Sequence, residues 1–240
     1  MNRESGSGKL PVGMLVLGIA AFVLRNMLYG VAVDFTGLLP RSHPLELALT
    51  VLSGLALAAA VLAAWKQKKS GCEEVHTADI PAAVGNLAAG AGILVTVLTA
   101  GPVPGGYLEN VWHGLGVAAP VCLLLAALAR ARGKKPLFLL YAAACLFFLM
   151  HIVTRYQLWS SNPQLQDYVF ALLGAMGLMF FGFYTAAREA GCGNPPVRLG
   201  MGLASVYLCL VELAQSACPA LYLGGLVWVL TELAGTGKTQ

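Results

Sequence analysis

Stretches of about 20 predominantly apolar residues recur along this chain from Leu10 to Leu233, with polar residues gathered mainly between them. In water each helix needs a polar face, and these stretches lack one, so the bilayer replaces water as the surrounding solvent. Backbone groups in hydrocarbon must be paired within the protein, which leaves only helices and closed barrels. The segments are too long, and too rich in Leu and Ala, for the strands of a barrel. The expected fold is therefore all-α: a polytopic bundle of transmembrane helices forming a single integral membrane domain over residues 1–240.

Composition points the same way, since 58% hydrophobic against 11% charged residues is far from the usage of soluble domains. Hydropathy and breakers place spans at about residues 10–33, 44–65, 80–100, 108–128, 136–156, 165–187, 199–214 and 219–233. Lys66, Lys68 and Lys69 stop the second, and Arg130, Arg132, Lys134 and Lys135 follow the fourth. Residues 199–233 are too long for one perpendicular helix. The run from Gln215 to Pro219 divides them into two short ones, making eight spans. Arg25 interrupts the first apolar run, which reads as an uncleaved helix rather than a signal peptide.

Lys and Arg retention on the cytoplasmic side acts independently of the hydropathy that locates the spans. With both termini inside, Arg3, Lys9, Lys66, Lys68, Lys69, Arg130, Arg132, Lys134, Lys135, Arg188, Arg198 and Lys238 all fall inside. Arg41 and Arg155 fall outside, and Arg25 lies in the membrane. The net charge of +4 thus reports orientation rather than an acidic partner, and nucleic acid is not expected as one. The expected location is a cell membrane crossed many times, of the bacterial cytoplasmic kind. With Cys122, Cys145 and Cys209 in spans and Cys72 and Cys192 inside, no structural disulfide is expected.

This topology gathers ionisable residues near the outer surface. Arg25 follows about 15 residues of helix, roughly 23 Å from the inner side, and His151 lies at nearly the same level. Glu46, Glu109, His113, Asp167 and Glu212 fall within two turns of the outer end, with Arg155 adjoining, whereas the inner half of the membrane is expected to hold almost no ionisable groups. A charge in hydrocarbon costs from about 2.5 kcal/mol upward unless paired or wetted. Arg25 therefore needs an acid at its level; Glu46, Glu109, Asp167 and Glu212 are the candidates, with Glu46, one short loop away, the expected partner and Asp167 next.

The functional reading is an outward-facing polar cavity for a small molecule or ion on the extracytoplasmic side, lined by Arg25, Glu46, Glu109, His113, His151, Arg155, Asp167 and Glu212. The structural reading is that the same residues snorkel to water or lock helices together, as in a noncatalytic accessory or sensor protein. A third class is an intramembrane metal-dependent enzyme. Glu109 and His113, four apart, and His151 are ligand types for zinc, but no His-Glu-x-x-His and no Gly-x-Ser-x-Gly occurs. Gly237-Lys238-Thr239 lacks the preceding glycine of a phosphate loop. No cofactor is expected, and the lipid bilayer is the one certain partner. The basic clusters inside could meet anionic headgroups, though topology alone accounts for them.

Overall fold

A computed structural model of the chain describes residues 9–32, 44–67, 79–99, 106–159 and 168–235. The described residues form eight helices and no strand: α1 (Lys9–Ala32), α2 (Pro44–Lys66), α3 (Ile80–Thr99), α4 (Tyr107–Ala131), α5 (Leu139–Trp159), α6 (Val169–Glu189), α7 (Pro195–Leu213) and α8 (Pro219–Gly235). The first seven are long and apolar enough to cross a membrane; α8, with 17 residues, is shorter. This is a multi-pass membrane protein. Its outward-facing Val16, Ile19, Leu55, Val61 and Val121 are exposed on the bundle surface, an arrangement that suits lipid and not water.

Local chemistry sets the helix ends. Proline occupies the first turn of α2, α3, α7 and α8, where its missing N–H would have had no intrahelical partner. Gly133 and Gly191 take φ values of 66° and 83° just beyond α4 and α6. The following N–H groups reach back, Lys134 to the Ala129 carbonyl and Cys192 to the Ala187 carbonyl, each at 2.9 Å. These glycine caps turn the chain tightly at one end of the bundle. That end, where α4, α6 and α8 finish and α3, α5 and α7 begin, is the basic end.

Helices α3 to α8 each pack on the next, and α8 closes onto α3, so six helices make a ring; α1 and α2 form a hairpin packed on α7. The α3–α8 seam is the tightest. A Cβ added at Gly92 would strike the Ala220 carbonyl, and one at Gly224 would strike the Ala88 carbonyl. Small residues here let two backbones touch, which gives dispersion contact where no hydrophobic effect separates helix from lipid. Across the ring, Trp228 of α8 lies parallel to Tyr141 of α5, with centroids 6.3 Å apart, and edge-on to Phe181 of α6 at 5.4 Å. Aromatic rings therefore fill the interior.

Candidate functional site

At the end opposite the basic one, Arg25 projects from α1 onto α7. Its Nη1 donates to Glu212 Oε2 at 2.7 Å and to the Val211 carbonyl at 3.0 Å. The two side chains are 3% and 4% exposed, and the Phe170 ring lies 5.1 Å from the guanidinium. Arg25 is thus enclosed by protein. Glu46 does not meet it: the Glu46 side chain is half-buried on α2, and its backbone carbonyl accepts the Thr50 hydroxyl at 2.9 Å. Chain proximity misleads because α1 packs more extensively on α7 than on α2 and meets Glu212 at the level of Arg25.

The other residues singled out at this end do not converge on one point. His113 and Glu109 approach to 3.9 Å, 45% and 33% exposed. Arg155 Nη2 donates to Cys218 Sγ at 3.1 Å. His151 is buried between Trp112, 6.3 Å away, and Phe147, 5.9 Å away, and its Nδ1 makes no hydrogen bond. Asp167 lies outside the described residues. Among the described residues no three His, Cys, Asp or Glu side chains could hold a metal ion, so Glu109, His113 and His151 are not gathered into a metal centre.

The basic end holds what the expectation of an uncharged inner half missed. Arg130, in the last turn of α4, donates to Glu189 of α6 at 2.6 Å and lies 3.5 Å from Glu232 of α8 and 3.7 Å from Asp79 at the start of α3. Arg188 of α6 and Arg198 of α7 approach the same Glu232 carboxylate at 3.7 and 3.5 Å. Arg130, Glu189, Arg198 and Glu232 are buried, Glu232 to 1% exposure. Tyr141 lies against Arg130, and its hydroxyl accepts the Asn86 amide N–H at 3.2 Å. Asp79 doubles as a cap, accepting the Ala82 N–H at 3.2 Å.

Three of these six charges work against the helices that carry them, whereas Arg130, Arg188 and Asp79 suit theirs. Glu189 and Glu232 sit in the last turns of α6 and α8, where the helix dipole disfavours an anion, and Arg198 sits in the first turn of α7, where it disfavours a cation. Only mutual pairing makes the arrangement tolerable. That misplacement is the signal the sequence offered: acids in the last turns of spans, at the end where Lys and Arg accumulate. Counting basic residues for topology passes over it.

Glu232 is held unusually. Arginine and carboxylate ordinarily meet at about 2.7–2.9 Å, often with two parallel bonds. Here three guanidiniums stop at 3.5–3.7 Å, and neither Glu232 oxygen accepts a hydrogen bond. Arg130 Nε, Trp228 Nε1 and Asn86 Oδ1, all buried nearby, also have no hydrogen-bond partner. Each such group in a dry interior costs about 1–3 kcal/mol. Five such atoms lie in adjoining residues at this end. The chain matches no protein-family model, no curated protein and no solved structure.

Proposed function

We propose that this multi-pass membrane protein binds a small charged solute at the basic end of its helix ring, beside Glu232 of α8 and Arg130 of α4. The supporting observation is the Glu232 carboxylate, ringed by three guanidiniums yet without a hydrogen bond. A bare cation is disfavoured by the arginines, so the solute carries at least one anionic group. With the charge distribution read as cytoplasm-facing, the site opens to the cytoplasm, and the outward-facing cavity read from the sequence becomes the second choice. A thermal-unfolding series on purified protein with acetate, sulfate and glycine tests this. A bound solute at a hundred times its dissociation constant raises stability by about 2.7 kcal/mol. No stabilisation by any of the three, or equal stabilisation of Arg130→Met, would refute it.

A second reading, the noncatalytic accessory protein, draws support from the enclosed Arg25–Glu212 pair, which joins α1 to α7. The two readings concern opposite ends of the bundle and are compatible.

A further inference from the structure

We draw no further inference here: the strongest candidate, the side-chain cluster between α4 and α5 in which Trp112 Nε1 and His151 Nδ1 are buried without a hydrogen bond, carries nothing, because among the described residues nothing shows a cavity beside the two nitrogens or what would meet them.

Discussion

Arg25 on α1 and Glu212 on α7, 187 positions apart in the chain, meet at 2.7 Å with almost no exposure. The contact fixes the two-helix hairpin of α1 and α2 against the ring at the end away from the basic cluster. Removing one partner leaves the other buried and charged, so Arg25→Met is expected to destabilise the protein by about 3–5 kcal/mol. Adding Glu212→Gln should recover much of that loss, and Arg25→Met with Glu46→Gln should recover none. Unfolding in detergent as a double-mutant cycle measures both couplings. Zero coupling for Arg25 with Glu212 would contradict the pair.

At the basic end Arg130 is shared by three carboxylates, whereas Arg132, just beyond α4, is exposed. Arg130→Met is expected to cost about 3–5 kcal/mol, against roughly 0.5 kcal/mol or less for Arg132→Met. Equal effects in a denaturation series would mean that the cluster does not hold the helix ends together.

Where α3 meets α8, the backbones approach through Gly92 and Gly224, while a Cβ at Gly54 of α2 would meet nothing within 4 Å. Gly224→Val should therefore lower stability by about 1–3 kcal/mol or more, and Gly54→Val should have little effect. A thermal melt of the two variants separates them.

Cys192 is an exposed free thiol between α6 and α7 at the basic end. With that end in the cytoplasm, an impermeant maleimide leaves Cys192 unlabelled in intact cells and labels it after permeabilisation. Cysteines introduced at Gly105 and Asn162 should label without permeabilisation. Labelling of Cys192 in intact cells would reverse the orientation.

Most of the fold was legible in the sequence, because an uninterrupted apolar stretch in lipid has few alternatives to helix and its ends are written in Pro, Gly and Lys. The break that separates α7 from α8 falls at residues 214–218, between Leu213 and Pro219, where Gln215 and Pro219 suggested it. Partnership was less legible. Arg25 announced its need for an acid, but which acid depends on α1 lying along α7, a packing choice that hydropathy does not encode. Glycine shows the same limit: Gly85 and Gly92 are at a helix contact, and Gly54 is not. At the basic end topology alone accounts for the arginines, so their pattern does not point to the carboxylates that pair with them.

The most direct test of the proposed site is an experimental density map of the protein in nanodiscs with glycine present, at a resolution that shows small ligands. The account predicts non-protein density in contact with Glu232 and the Arg130 guanidinium, with the two groups parted from their 3.5 Å approach to admit it. A map in which that guanidinium closes directly onto Glu232 at about 2.7–2.9 Å, with no density between them, would contradict it.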